Sequence, residues 1–418
     1  MVAIADVSHY VPAGGVVDME ARARGTSVYF PYRVIPMLPV ALYKGLCSLD
    51  PGADRLSLLC DIKLDNAGEI IDFSFKKAVI RSHARLTYKE VAAIVSNYDK
   101  PLRNLHKVIT PELDVLYSFY RSLTASKRFR YTLDLESDTK KFVLDSKKRI
   151  SEIIRVPRTD AHRMIEECMI LANTCAARFM NQSNVTGLYR VHSDPDVGQQ
   201  QGLRDLFEQM GCPVKGKVCL ENLQRHLSES RRKSEGRHLI HNVLQYLPKA
   251  NYSPAVQPHF GLHLKAYTHF TSPIRRYSDL LVHRIISSLI EPSMSGTVYS
   301  LLELNEASHN CNTSQDRAKR AAWDVQSQLM SKLAEKHLGS SFQGSVSSVT
   351  KFGLFIEIES LLIEGLLHVS NLGNEFFEYQ GFQLFGKESG KVFKLGDVVP
   401  VKIVKVNTVE GKIELGLT

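Results

Sequence analysis

The spacing of apolar and polar positions changes rhythm several times along the chain. Val2-Ala3-Ile4-Ala5 is an apolar run that predicts a buried strand, and because a central strand rarely starts at a second residue, a segment in front of it is expected. Proline and glycine then break up residues 12–52. Leu58, Cys60 and Ile62 alternate with polar neighbours, Asp65-Asn66-Ala67-Gly68 is a turn, and Glu69–Val79 returns, so 56–79 predicts a β-hairpin. From about 86 to 180 the period is helical, interrupted near Pro101, Pro111 and the polar stretch 134–148. Its clearest helix is 159–180, with Thr159 or Asp160 as cap and Ile165, Met169, Ala172 and Ala176 as an apolar stripe. Cys168 and Cys175 on that helix are expected to face inward. Residues 193–202 predict a polar loop and 291–297 a break, while 298–338 holds no Gly or Pro and predicts one long helix or two collinear ones.

Beyond Gly339 the texture becomes short β-rich runs, FQGSVSSV, FGLFIEI, EGLLHV, VVPVKIVKV and KIELGLT, separated by turn residues. Five short strands in about eighty residues predict a small all-β OB-fold barrel. The expected organisation is an α+β body at 1–337 followed by this barrel at 338–418.

Composition adds less than charge distribution. The 418 residues are 44% hydrophobic and 23% charged, which excludes disordered and collagen-like chains. No apolar run reaches membrane-spanning length, and the seven cysteines include no C-x-x-C pair, so a reduced, cytoplasmic protein without membrane contact is expected. The net charge of +9 is uneven: residues 338–418 carry −2, the rest +11. Basic clusters lie at 140–163, at 225–237 and at Arg275, Arg276 and Arg284. Such a surplus suits a polyanion, nucleic acid above all, or else a merely solvated surface.

The most pointed segment is 259–284, HFGLHLKAYTHFTSPIRRYSDLLVHR. Ser272 and Pro273 predict a helix start, with Arg275, Asp279 and His283 along one face. Two arginines in the first turn would hold phosphate; alternatively Arg275 pairs with Asp279. His259, His263 and His269 lie close in sequence, but no metal-type partner set accompanies them, so core or surface histidines are expected.

This segment resembles the signature of the ribonuclease II/ribonuclease R (RNB) family of processive 3′→5′ exoribonucleases, and ribonuclease R is the nearer of the two. VAIADVSHYV (2–11), ARARGTSVYFP (21–31), IPMLP (35–39), GLCSL (45–49), SHARLTY (82–88), DAHRMIEECMILAN (160–173) and LYRVH (188–192) are similar to the family in the family's order. Residues 342–418 resemble its C-terminal S1-like RNA-binding barrel. The resemblance implies a ribonuclease-II-like catalytic body in which one RNA strand threads a channel to a magnesium site that releases nucleoside monophosphates. It implies that Tyr29 clamps the terminal bases, Tyr88 stands at the reaction centre, Glu166 contacts the terminal nucleotide, and Arg275, with Arg276 beside it, holds phosphate oxygens at the scissile bond. Taken singly, Tyr29 and Tyr88 would equally be core aromatics and Glu166 a solvated acid. In the barrel the resemblance implies an aromatic face of Phe352, Phe355 and His368 with Asn407 and Lys412 beside it; strand alternation leaves open whether one phenylalanine packs inward.

The chain departs from the family in one respect. The D-x-D-D-like aspartate cluster that binds magnesium is absent, and the N-terminal cold-shock-like barrels are absent with it. Magnesium needs several anionic oxygens, which one glutamate does not supply. The expectations are an N-terminally truncated exoribonuclease, with a catalytically inactive RNA-binding remnant or the C-terminal half of a split enzyme as alternatives. In the last case a separate N-terminal fragment carries the aspartates. Single-stranded RNA is the expected partner, the chain is expected to be a monomer, and an unpaired sheet edge predicts marginal solubility.

Overall fold

The computed structural model describes residues 1–125, 133, 139–147, 149–209, 211, 213–214, 218–230, 236–291 and 299–418. The break at 292–297, Lys148, residues 134–138 of the polar stretch and residues 231–235 of one basic cluster lie outside them.

The predicted hairpin is present and longer than expected: Asp54–Leu64 pairs antiparallel with Ile70–Arg81. Its turn closes because Asp65 Oδ1 accepts from the N–H groups of Ala67 and Glu69, both at 2.9 Å, while Gly68 takes φ +77°. Val2–Ala5 pairs with the first hairpin strand, Val2 opposite Cys60, and forms the edge of a three-stranded sheet. The expectation of a central strand is therefore corrected: only Ala5 is buried, and Val2 and Ile4 are half-buried against the core.

The central helix, Asp160–Gln182, is closed at its start by Thr159 and His162, whose Oγ1 and Nδ1 lie 2.8 Å apart. It has no single apolar stripe. Ile165 and Met169 are only half-buried, whereas Ile170 through Ala177 are buried on all sides. One side packs on Leu58, Cys60 and Phe75 of the sheet, the other on Val282, Ile285 and Ile286 of the helix Tyr277–Ile290. Small residues at Ala172, Cys175, Ala176 and Ala177 let both neighbours close on the helix. Cys175 faces inward as expected and Cys168 is half-buried.

Two expectations in the middle of the chain are corrected. Residues 86–180 are not helical throughout: after Tyr88–Val95, Lys100–Leu105 and Thr110–Ala125, a β-hairpin of Thr139–Leu144 and Ile150–Val156 intervenes. Its Phe142, Ile150 and Ile153 pack toward the C-terminal barrel, an apolar demand invisible in the local pattern. The expected loop at 193–202 instead enters a helix, Val197–Gln209. Asp196 and Gln199 cap it reciprocally, at 2.8 and 3.0 Å between backbone N–H and side-chain oxygen.

Leu301–Glu335 is one 35-residue helix, about 52 Å long at the standard rise, and opens with a Ser300–Glu303 capping box. It leads into a closed five-stranded barrel of Ser341–Thr350, Gly353–Ile358, Ile363–His368, Lys412–Leu417 and Val398–Asn407, in that order around the ring. A side sheet of Phe377–Tyr379, Gln383–Gly386 and Val392–Lys394 flanks it. The barrel core is continuous with Leu329, Leu333 and Ala334 of the long helix and with Phe142, Ile150 and Ile153 of the body.

Candidate active site

The segment Thr271–Tyr277 folds differently from its sequence expectation. Pro273 starts a single turn, in which the N–H groups of Arg275 and Arg276 both donate to the Ser272 carbonyl at 3.1 Å. Arg276 is extended, bridges to Thr26, and is followed by the helix Tyr277–Ile290. Ser272 is therefore not the cap, and Arg275 stands outside the helix instead of one turn before Asp279. Asp279 organises the turn: fully buried, it accepts from Ser272 N–H at 2.7 Å and from Arg276 Nε and Nη2 at 2.8 and 2.7 Å. Burial works against the Arg276 charge, but the Asp279 carboxylate outweighs it and holds the guanidinium protonated. Arg275 is left exposed, and among the described residues its side chain bonds to Ser272 Oγ at 3.1 Å. The alternative of an Arg275–Asp279 pair is thus not the one the fold takes.

The Arg275 carbonyl accepts from Ser27 N–H at 2.9 Å and Thr26 Oγ1 at 3.0 Å. That sews the arginine turn to the strand Val28–Phe30, which carries Tyr29 with half its surface open. Asn173 ties the other end of the segment to the central helix: its Oδ1 accepts from Phe270 and Thr271 N–H at 2.8 and 3.2 Å, and its Nδ2 donates to Tyr267 Oη at 2.8 Å. An asparagine inside the apolar run MILANTCAA was the available signal for this residue, and sequence reading passed over it.

Glu166 lies seven residues before Asn173 on the same helix, half-buried and ion-paired with Arg158. One turn earlier, His162 stacks on the Tyr88 ring, with centroids 4.0 Å apart and planes 19° from parallel. Tyr88 is the first residue of its helix, positioned by the Thr87–Glu90 capping box and 45% exposed. The central helix thus brings Tyr88 and Glu166 to one end, and Tyr29 and Arg275 come from two segments bonded to each other. Tyr29, Tyr88 and Arg275 are open to solvent. Arg158, in the basic cluster at 140–163, and His162, in the motif at 160–173, fix Glu166 and Tyr88, roles that neither signal assigned.

Behind the arginine turn lies a chain of edge-on rings, Tyr252–His269–Tyr267–His259–His192, with centroids 5.1–5.7 Å apart. Burial, reinforced by His192 and Arg190, pushes His259 down to about 3. His269 is held well below its ordinary value by burial, then by Arg276 and Arg190. These are neutral, packed histidines.

Magnesium, which the family resemblance calls for, was tested against the residues present. Among the described residues no three His, Cys, Asp or Glu side chains cluster closely enough to hold an ion. Buried Asp6 caps a short helix through Ser8 Oγ at 2.5 Å and His9 N–H at 3.2 Å. Asp18 is bonded to Arg284 at 2.7 Å and Tyr277 at 2.9 Å, and Asp279 to Arg276. These residues do not fit a resident magnesium site.

The barrel face is clear of the earlier ambiguity. Leu354, Ile356 and Ile358 point into the core, so Phe355 points out, and Phe352 in the preceding turn is 49% exposed. The two rings meet edge to face at 6.0 Å. Gly353 makes this possible: it sits at φ +149° opposite exposed His368, where a Cβ would lie 2.3 Å from the Leu367 carbonyl oxygen. On the next two strands Asn407 faces Lys412 across a hairpin; Asn407 Oδ1 accepts from Val409 and Glu410 N–H at 3.1 Å, and Lys412 pairs with Glu410 at 2.7 Å. No helix among the described residues is long and apolar enough to cross a membrane.

Comparison with known proteins agrees with this architecture. Residues 1–292 match the RNB domain and residues 335–418 the S1 RNA binding domain. Ribonuclease R of Escherichia coli (strain K12) is 38% identical over 100% of this chain and 53% of its own length; that of Thermotoga maritima is 35% identical over 99% and 59%. The chain therefore spans somewhat more than half the length of these curated relatives. Mycoplasma genitalium RNase R, solved without RNA and also with a ribose-methylated single-stranded RNA, superposes with TM-score 0.90 at 28% identity, covering 100% of this chain and 66% of that one. With an RNB match over more than two-thirds of its length and an S1 domain behind it, the chain belongs to the RNB ribonuclease family.

Proposed function

We propose that this chain forms the 3′-end site and RNA path of a ribonuclease-R-type 3′→5′ exoribonuclease acting processively on single-stranded RNA. The observation that carries the reading is the exposed Arg275, with no ion pair among the described residues, held on a turn braced by buried Asp279, in a chain similar to ribonuclease R from end to end. Arg275 takes phosphate oxygens at the scissile bond as a planar fork. Tyr29 and the Tyr88–His162 pair stack on terminal bases, which tolerates any sequence. Glu166, fixed by Arg158, accepts hydrogen bonds from the terminal nucleotide, and Arg276 supports the turn through its pair with Asp279. The barrel takes the strand farther upstream on Phe352, Phe355, His368 and Lys412.

Hydrolysis in this family draws on magnesium, and the described residues do not fit it, so the metal-binding aspartates come from outside them. They are supplied either by a segment of the same polypeptide preceding this sequence or by a separate N-terminal fragment, and addition in trans tests both. The test is 5′-labelled single-stranded RNA incubated with the purified chain and magnesium, with Arg275→Ala as control. The RNA is expected to be bound and left intact, and mononucleotide release is expected when the N-terminal portion of a ribonuclease R is added in trans. Failure to bind RNA sinks the functional reading, while mononucleotides from the chain alone sink the statement about the metal.

A further inference from the structure

Among the described residues Arg190 is a buried charge with no ion pair. It lies at the middle of the strand Tyr189–Val191, 8% exposed, and its Nη1 is buried with no hydrogen-bond partner. Among the described residues no carboxylate pairs with it; its guanidinium lies 4.7 Å over the Tyr252 ring and makes no side-chain hydrogen bond. An unpaired guanidinium removed from water costs several kcal/mol, and water filling the gap brings no charge. Arg276 adds positive charge beside Arg190, and Asp316 is a carboxylate that acts on it without bonding to it. Lys319 on the long helix has its ammonium pushed down by burial, then by Arg190, with Lys249 adding to the effect against Asp316. His269 beyond it is flanked by Arg190, Arg275 and Arg276.

The long helix gives the position of this group. Ser314 packs on Gly25, beside the Thr26–Arg276 bridge, and Arg317 Nη2 donates to the Ala23 carbonyl at 3.3 Å, so this part of the helix backs the arginine turn. Lys319 follows about 7 Å along the helix, and Leu329, on which the barrel packs, about 15 Å farther. Arg190 and Lys319 thus stand between Arg275 and the barrel face.

We propose that Arg190, with Lys319 and Lys249 at its mouth, is a second phosphate subsite, holding a phosphodiester of the bound strand on the 5′ side of the one taken by Arg275. This rests on the RNA reading above. The fit is chemical: an oxyanion supplies both the missing acceptor for Nη1 and the missing negative charge, and the Tyr252 ring fixes the plane of the fork.

The test uses the full chain and a 5′-fluorescein 12-mer of single-stranded RNA, with binding titrated by anisotropy over a series of salt concentrations. Arg190→Met keeps the apolar stem over Tyr252 and removes the charge. It is expected to weaken binding at least tenfold and to reduce the salt slope by about one. Arg190→Lys is expected to retain the slope. Without RNA, Arg190→Met is expected to melt no lower than the parent, since it removes a buried charge with no partner; a merely structural arginine would lower the melt and leave the slope alone. Lys319→Met, at the mouth of the subsite, reads the same subsite should Arg190→Met not fold, and an unchanged slope there counts against the proposal. Parent-like affinity and slope in Arg190→Met overturn it while the RNA reading stands. A parent chain that binds no RNA overturns that reading instead.

Discussion

Arg275 and Arg276 are neighbours of one chemical type in opposite circumstances. Arg276 neutralises a fully buried Asp279, so Arg276→Ala leaves an uncompensated carboxylate, and a loss of about 3–5 kcal/mol in unfolding free energy is expected from denaturant titration. Among the described residues Arg275 holds Ser272 Oγ alone, so Arg275→Ala should shift stability by no more than about 0.5 kcal/mol while weakening RNA binding. Equal stability losses in the two variants would refute this division. The histidines make a second residue-level prediction. His192, His259, His269 and His283 all have values lowered by burial first, so the folded chain keeps them neutral where the unfolded chain protonates. Their stabilisation is complete above about pH 6.5 and is lost as pH falls below it, each contributing a slope of about 1.4 kcal/mol per pH unit toward its folded value. Thermal unfolding between pH 7 and pH 5 should therefore show a falling melting temperature, and His259→Gln should flatten the decline. A melting temperature independent of pH in that window would contradict these buried neutral forms.

Among the elements, those legible in the sequence carry their own local instructions. The Asp54–Arg81 hairpin has alternation and an Asp-Asn-Ala-Gly turn, the long helix has a Ser300–Glu303 cap and no breaker, and the barrel has glycine-punctuated strands. Elements missed by pattern are fixed by partners distant in sequence. The Thr139–Val156 hairpin exists to cover the barrel through Phe142, Ile150 and Ile153, and the central helix loses its stripe because two neighbours sandwich it. The same distinction runs through the site. Tyr88 and Glu166 were assigned roles from the resemblance, but the role of Asn173, which ties the arginine turn to the central helix, was not, because its partners lie 94 to 98 residues away. In the barrel the geometry of one turn sets the exposed aromatic face that the proposed function assigns to RNA. Phe352→Ala and Phe355→Ala should each weaken RNA binding by about 1–3 kcal/mol with the barrel still folded. Gly353→Ala should instead destabilise it by at least about 1 kcal/mol, since a Cβ meets the Leu367 carbonyl at a strained φ. Separating the two effects takes RNA titration and thermal melts on the same three variants; unaltered affinity in both phenylalanine variants would remove the face from the RNA path.

For the molecule as a whole, the question is whether body and barrel act as one object. The charge is divided, +11 in residues 1–337 and −2 in the barrel, so in the proposed function phosphate attraction belongs to the body and base stacking to the barrel. A strand that engages both must span a fixed distance, and the shared apolar core fixes it, helped by Lys140 Nζ to Glu357 at 3.0 Å and Asn242 Nδ2 to the Ser347 carbonyl at 3.1 Å. Phe142 is the body's large side chain in that core, 9% exposed. Phe142→Ala should cost about 3–5 kcal/mol locally and loosen the barrel on the body. RNA long enough to run from Arg275 to Phe352 gains from the preset spacing, because the second contact is then intramolecular. A tetranucleotide that reaches only the 3′-end site gains nothing from it. The variant should accordingly lose affinity for a 16-mer at least several-fold and bind the tetramer as the parent does. Equal losses at both lengths would mean that the barrel's attachment has no part in holding the strand, and the body alone would then set the affinity.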